Sequence, residues 1–308
     1  MLAFSPKPPP PPPGPPGPPH DPLRTVIFTA DDFGLSPALN GAVALAHGRG
    51  LLRCASLMVT GPAAEQAVAM ARDLPELCLG VHLTLIQGRS ALPPGAIPHL
   101  VDSQGRFLND PVRVGWRYYW HKGLLPEIRR ELAAQIEAAL ATGLKIWFLN
   151  SHVNLHLHPR IFPVVAELAR EYGIPGVRLP REDWRTALSL DSHGFFPKLA
   201  QGLIFAWLSR RARRLAQAAG LIHNDYLFGL LNDGRLTEDY LLGLVPRLQP
   251  GVTEIYLHPG LFADQELRRW GPCYQRQEEL AALLSPRLKE ALDDAGVKVS
   301  DFREVSKK

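Results

Sequence analysis

An α/β fold of βα repeats on a mainly parallel sheet is predicted by three features of the chain. Short apolar runs rich in β-branched residues recur, segments with helical caps and periodicity separate them, and several runs stop abruptly on acids or histidines. At 308 residues, 46% hydrophobic and 21% charged, the chain is long enough for one large core, and a single catalytic domain is expected over residues 23–308. The formal charge of +4 is mild and its basic residues are scattered apart from one run, so no nucleic-acid partner is expected. Cys54, Cys78 and Cys273 are too few and too dispersed for a disulfide framework or a CxxC zinc site, and read as reduced thiols. Residues 1–22, nearly pure proline between Lys7 and Pro19, are expected to form a disordered, extended arm outside the fold. That arm lacks the apolar centre of a secretory signal, and no apolar run is long enough to span a bilayer, so a cytoplasmic location is expected.

The first strand, Val26-Ile27-Phe28-Thr29-Ala30, runs into Asp31-Asp32-Phe33-Gly34. Side chains alternate along a strand, so neighbouring carboxylates at its end point in different directions and suit two tasks, one on a metal and one on a proton. A turn with a helix cap is the plainer alternative. Ser36 then reads as an N-cap with Pro37 at the first helical position, and the helix runs to about His47. A second strand, 54–60, closes at Gly61-Pro62, a helix occupies 63–73, and a third strand, 78–85, carries His82. Prolines and glycines break this rhythm over 87–123, which reads as a long loop near the site.

A helix is expected at 125–142, then a strand at 145–150 that ends in Ser151-His152-Val153-Asn154-Leu155-His156-Leu157-His158. A helix at 162–172 precedes a short strand, 177–182, with a charged exit. Residues 184–224 read as a lid or insertion, in which the apolar run 203–208 leads straight into Arg210-Arg211-Ala212-Arg213-Arg214. Such a helix suits an anionic membrane surface or an oily substrate; a lid with a solvated basic face is the commoner explanation. A strand and turn at 225–230, a helix at 237–248, a strand at 253–260 ending on His258, a helical tail from Gln277 and a last strand at 297–300 complete the chain.

Parallel strand ends converge on one face, which would gather Asp31 and Asp32, His82, the His152 cluster and His258 in one pocket. One carboxylate and two imidazoles suffice to hold a divalent ion with positions left open for water and substrate. Taken singly, His82 reads as a satisfied buried histidine, and His156 and His158 as surface residues. Their coincidence at strand ends is what points to a metal site.

Several motifs carry a resemblance that runs from about residue 25 to about 302. They are Thr29-Ala30-Asp31-Asp32-Phe33-Gly34, Gly80-Val81-His82-Leu83-Thr84, Asn150-Ser151-His152-Val153-Asn154-Leu155-His156, Val177-Arg178-Leu179-Pro180-Arg181-Glu182 and Glu254-Ile255-Tyr256-Leu257-His258-Pro259-Gly260. In order and spacing the chain resembles the YdjC-like carbohydrate deacetylases, most closely the branch associated with hopanoid biosynthesis. The resemblance implies a distorted, TIM-barrel-like (β/α) barrel. It also implies one divalent ion, such as magnesium or zinc, on Asp32, His82 and His152, with Asp31 as general base and His258 as general acid or its orienting partner. Asn154, His156, Arg178 and Arg181 are the expected sugar contacts.

One departure stands out: the family pattern is often Asp-Ser-His-x-His-x-His, and Asn150 and Asn154 here replace an acid and an imidazole. That puts the surroundings of the ligands in question rather than the ligands. The implied substrate is an N-acetylated sugar or, by the hopanoid branch, an N-acetylglucosamine on a polycyclic lipid. Membrane contact would be peripheral, at the inner face, and a homodimer is compatible. Two other readings use the same residues: a non-haem iron oxygenase on two histidines and a carboxylate, and a sugar-binding module that has lost catalysis. A glycosidase is disfavoured, because adjacent carboxylates do not easily flank a glycosidic bond.

Overall fold

The computed structural model describes residues 24–306, so the proline arm lies outside the described residues. Eight strands and twelve helices alternate along this span. They are β1 (Arg24–Phe33), α1 (Pro37–Arg49), β2 (Cys54–Leu57), α2 (Ala64–Arg72), β3 (Cys78–Leu83), α3 (Pro111–Trp120), α4 (Leu125–Ala141) and β4 (Ile146–Ser151). There follow α5 (Phe162–Glu171), β5 (Gly176–Val177), α6 (Trp184–Leu190), α7 (Phe195–Ala218), β6 (Tyr226–Phe228), α8 (Glu238–Leu244) and β7 (Gly251–Leu257). The chain closes with α9 (Gln265–Arg269), α10 (Arg276–Leu283), α11 (Pro286–Asp294), β8 (Val297–Val299) and α12 (Phe302–Val305).

The strands pair in parallel in the order β5-β4-β3-β2-β1-β7-β6, and β8 pairs with the first part of β1. Isolated parallel bridges at Gly176↔Ile222 and Glu182↔Leu227 draw the two ends of this order together. The sheet therefore curls into a distorted, TIM-barrel-like half-barrel wrapped by helices, as expected from the sequence.

Two-residue periodicity layers the interior of the curl. Ile27 of β1, Cys54 of β2, Cys78 of β3 and Phe148 of β4 form an apolar plug with Phe302 of α12, whose ring stacks on Phe148 at 4.4 Å. One and two steps further along the same strand faces come Thr29 and Asp31, Ser56, Gly80 and His82, and Asn150, all buried. The apolar floor and the polar upper layer are thus made by the same strands. Gly80 lets the layers meet, since a Cβ there would lie 2.5 Å from the Phe148 ring. The large hydrophobic core lies outside the curl, between sheet and helices.

Two segments differ from the sequence reading. Residues 111–120, expected as loop, form α3: Asp110 accepts from the N–H groups of Val112 and Arg113, Pro111 opens the first turn, and Val114 and Tyr118 are buried one turn apart. Tertiary contact overrides the weak helix propensity of its aromatic and β-branched residues, with the Tyr118 hydroxyl donating to the Leu85 carbonyl. The strand expected at 177–182 shrinks to β5, because Pro180 has no N–H and the Asn224 side chain takes both backbone bonds of Leu179. Residues 184–224, expected as a lid or insertion carrying a helix, form a short helix, α6, followed by the 24-residue α7.

Gly80→Ala should destabilise the protein by about 1–3 kcal/mol through overpacking against Phe148. Gly95→Ala, where an added Cβ meets nothing within 4 Å, serves as the control in chemical denaturation.

Candidate metal centre and catalytic cleft

The end of β1 is not regular. Ala30 pairs with Ala55 but Phe33 pairs with Leu57, so β1 carries one residue more than β2 across this step, and Asp32 takes φ 62°. This bulge breaks the alternation expected of adjacent strand residues, and Asp31 and Asp32 both line one cleft of about 530 Å³. Among the described residues, the other non-glycine residues with positive φ, Gln87, Val153 and Asn154, line the same cleft. Strained backbone is thus concentrated where the functional side chains are aimed.

Asp32, His82 and His152 place one donor atom each within 4.8 Å of one another. The Asp32 Oδ1 atom lies 3.1 Å from His82 Nε2 and 2.9 Å from His152 Nδ1. Burial opposes charge on Asp32, yet the two imidazoles hold its carboxyl well below the usual range; Asp32 in turn raises His152 against burial. These residues fit a divalent ion on two counts. They supply one anionic oxygen and two imidazole nitrogens, and the buried His82 Nε2 makes no well-aligned hydrogen bond, Asp32 Oδ1 lying near but off its axis, while its Nδ1 is 2.9 Å from Asn150 Oδ1.

Asp31 is held differently. Its Oδ1 accepts from Ser56 Oγ at 2.8 Å, Asn150 Nδ2 at 3.0 Å and Arg178 Nη2 at 2.9 Å, and its Oδ2 accepts from Arg178 Nη1. Burial works to raise the Asp31 carboxyl, but Arg178, His82 and His258 together outweigh it and the group stays ionised below the usual range. Asn150 resolves the question its substitution raised. Its carbonyl faces His82 and its amide donates to Asp31 and Ser56, whereas a carboxylate in its place would put a second negative charge 3.0 Å from Asp31.

On the strand next to β1, His258 follows β7, with Nε2 at 3.8 Å from Asp32 Oδ2 and Nδ1 at 3.3 Å from Asp233 Oδ1. Burial lowers its pKa against the pull of Asp233, so its neutral form is favoured more than in water. Tyr274 donates to Asp233, and Glu279 of α10 accepts the His258 backbone N–H at 2.7 Å.

The structure gathers Asp31, Asp32, His82, His152, Asn154 and His258 at the cleft. It does not bring the other expected sugar contacts there. Arg178 is fully buried beneath the cleft, shared between Asp31 and Glu254 and stacked 4.5 Å from the Tyr256 ring, so its guanidinium is committed to the protein. Arg181 lies at the surface over the Tyr226 ring, because Pro180 and the following bridge turn it outward. His156 is buried between Ser151 Oγ and the Arg178 carbonyl, and burial lowers its pKa to about 3, which makes it a neutral strut.

Sequence reasoning passed over Asp233, Ser56, Glu254, Gln87 and Trp270. Ser56 and Glu254 share a strand face with the plug or with His258 at even spacing, a readable signal. Asp233 sits in an irregular turn with no periodicity.

Residues 25–294 match the model of the YdjC-like protein family. A carbohydrate deacetylase from Geobacillus stearothermophilus is 34% identical over 92% of this chain and 99% of its own length. One from Vibrio cholerae is 31% identical over 90% of this chain and 94% of its own. A solved structure from Enterococcus faecalis, provisionally described as a cellobiose-phosphate cleavage protein, superposes with a TM-score of 0.73 at 26% identity, covering 92% of this chain and 99% of that one.

Two buried carboxyl groups brace the loops around the cleft. Glu182 accepts from the Leu231 N–H and Glu279 from those of Leu236 and His258, and burial pushes each up to about 8. Folding therefore takes up protons between the ordinary glutamate value of 4.5 and about 8, and the contribution of these groups is full at acid pH and lost as pH rises through that window. Relative to the parent, Glu182→Gln should gain stability from about pH 5 to about pH 8, on the order of 1–4 kcal/mol, read by denaturant unfolding across that range.

Proposed function

The chain belongs to the YdjC-like family, and we propose that it is a metal-dependent hydrolase that removes the N-acetyl group of an amino sugar and releases acetate. The observation that carries this reading is one cleft flanked by the Asp32–His82–His152 donor set, the ionised Asp31 and the buried His258. The relatives named as carbohydrate deacetylases support the same chemistry.

A divalent ion on Asp32, His82 and His152 would acidify water and polarise the acetamide carbonyl. A carboxylate held as low as Asp31 is a weak base, adequate for a proton that is already made acidic, and Arg178 keeps it ionised and ready to accept. Ser56 and Asn150 occupy its Oδ1, which leaves Oδ2 the less encumbered atom to receive the proton. His258 ends the neighbouring strand with Nε2 near Asp32, and in its protonated form would give a proton to the departing amine, with Asp233 beside Nδ1 to stabilise that imidazolium against burial. Asn154, whose Oδ1 has no partner, and Trp270 provide polar and stacking surface for a sugar ring.

The substrate we favour carries its N-acetylglucosamine on a polycyclic lipid of the hopanoid type. The motif likeness to that branch and the apolar surface beside the cleft support it. The place of work would be the cytoplasm, at the inner membrane face. Among the described residues no helix is long and apolar enough to cross a membrane.

Asp31→Asn should abolish acetate release yet retain bound metal, whereas His82→Ala should lose the metal; equal metal loss in both would refute the division of roles. Acetate release without oxygen, in the presence of zinc or magnesium, excludes the oxygenase reading. Acetate release from N-acetylglucosaminyl glycolipid should exceed that from soluble chitooligosaccharide, and the reverse preference would count against the lipid.

A further inference from the structure

Twelve large hydrophobic residues are exposed among the described residues, and all of them fall on four segments that border the cleft. Val112, Trp116, Tyr119 and Trp120 lie on α3, Val153 follows β4, Phe195, Phe196, Leu203, Ile204 and Trp207 lie on α7, and Leu261 and Phe262 follow His258. Each segment has or adjoins a residue of the cleft wall: Pro111 opens α3, Val153 is itself in the wall, Gln201 and Phe205 belong to α7, and His258 precedes the last pair.

Helix α7 is amphipathic in the reverse of the ordinary sense. Its buried positions are the small residues Gly202, Ser209, Ala212 and Ala216, which let the helix lie close to the protein, with Ser209 Oγ donating to the Pro180 carbonyl. Phe195, Phe196, Leu203, Ile204 and Trp207 point outward, while Phe205, Leu208 and Leu215 pack partly against the core. Leu203, Ile204 and Trp207 continue at helical spacing into exposed Arg210, Arg211 and Arg214, so one face runs from apolar to cationic. No ion pair engages those three arginines among the described residues. On α3, Trp116 and Trp120 stand one turn apart with parallel rings, beside exposed Arg113.

Isolated exposed apolar residues are ordinary, but a set gathered on the segments that border one cleft marks a docking surface. Tryptophan, leucine and isoleucine beside arginine is the composition of a helix lying in a bilayer interface. A protein or a second copy seated on this rim would shut the mouth of the cleft, whereas a bilayer covers the rim and supplies substrate through it. We propose that the α3–α7 rim docks the protein on an anionic lipid surface, α7 lying in the interface with Leu203, Ile204 and Trp207 inserted and Arg210, Arg211 and Arg214 on the lipid phosphates. The docking rests on this surface alone; that it presents a lipid-borne sugar to the cleft rests on the deacetylase reading.

Co-sedimentation of the full chain with vesicles of phosphatidylcholine, alone or mixed with phosphatidylglycerol, tests it. The wild-type protein should bind the mixed vesicles on the order of 100-fold more tightly than the neutral ones, and added salt should weaken that binding. The triple variant Leu203→Ser, Ile204→Ser, Trp207→Ser should lose binding to both. The triple variant Arg210→Gln, Arg211→Gln, Arg214→Gln should lose the preference for the anionic mixture. Both should hydrolyse soluble N-acetylated sugar as the parent does, which separates docking from catalysis. Wild-type protein that stays in the supernatant, or variants that sediment like the parent, would overturn the proposal. So would a dimer in solution that the apolar triple variant dissociates, because a second copy would then be the occupant. Loss of acetate release from every substrate with vesicle binding intact would sink the deacetylase reading and leave the docking standing.

Discussion

A guanidinium with no exposed surface sits under the cleft, and the site is arranged around the need to neutralise it. Arg178 takes Asp31 on one side and Glu254 on the other, and Glu254 also accepts from Thr29. A buried cation without partners would be prohibitively costly, and two carboxylates without the cation equally so. The cluster therefore forms as a unit, and in forming it fixes the ends of β1, β5 and β7 in one register. Asp31 is ionised as a consequence of that packing. From its Oδ1 the hydrogen bonds pass through Ser56 and Asn150 to His82, so the proposed base and one proposed metal ligand share a single rigid network.

The second constraint is geometric. An unbroken strand would send Asp31 and Asp32 to opposite faces, and the cleft needs both. The bulge at Asp32 solves this, at the expense of a left-handed residue in a position where glycine would be easier. Gln87, Val153 and Asn154 repeat the solution on the loops opposite. Such backbone is stable only when its surroundings over-determine it. Here the Leu35 N–H donates to the Asp32 carbonyl, the Gln87 N–H donates to the Leu108 carbonyl, and the Asn154 side chain donates to the Tyr256 hydroxyl.

Much of the fold was legible because its signals are local. Ser36 and Pro37 begin α1 where expected, with Ser36 accepting from the Leu39 N–H, and most strands start within a residue or two of their apolar runs. Where tertiary contact outweighed local preference the reading failed. Helix α3 forms from residues with little helical propensity because Val114 and Tyr118 bury against the core, and β5 is cut short by a side chain that imitates a strand. In the site, residue type and position pick out the groups that end strands, while the resemblance makes Arg178 a sugar contact and only its two carboxylate partners show that it belongs to the scaffold.

By itself the sequence determined the βα alternation, the strand-end acids and histidines and the family, since each rests on residue type and spacing along the chain. Only the tertiary structure decided which way those groups point and what state they are in. The bulge that turns Asp32 into the cleft, the burial that commits Arg178 and His156 to the scaffold, and the arrival of Asp233 beside His258 all depend on segments far apart in sequence. So does the apolar rim. The apolar run at 203–208 suggests a helix with an apolar and a basic stretch, but only packing shows that Trp207 stays outside and that Trp116, in a stretch that reads as loop, is exposed as well, because whether an apolar side chain is buried depends on what the rest of the chain places against it.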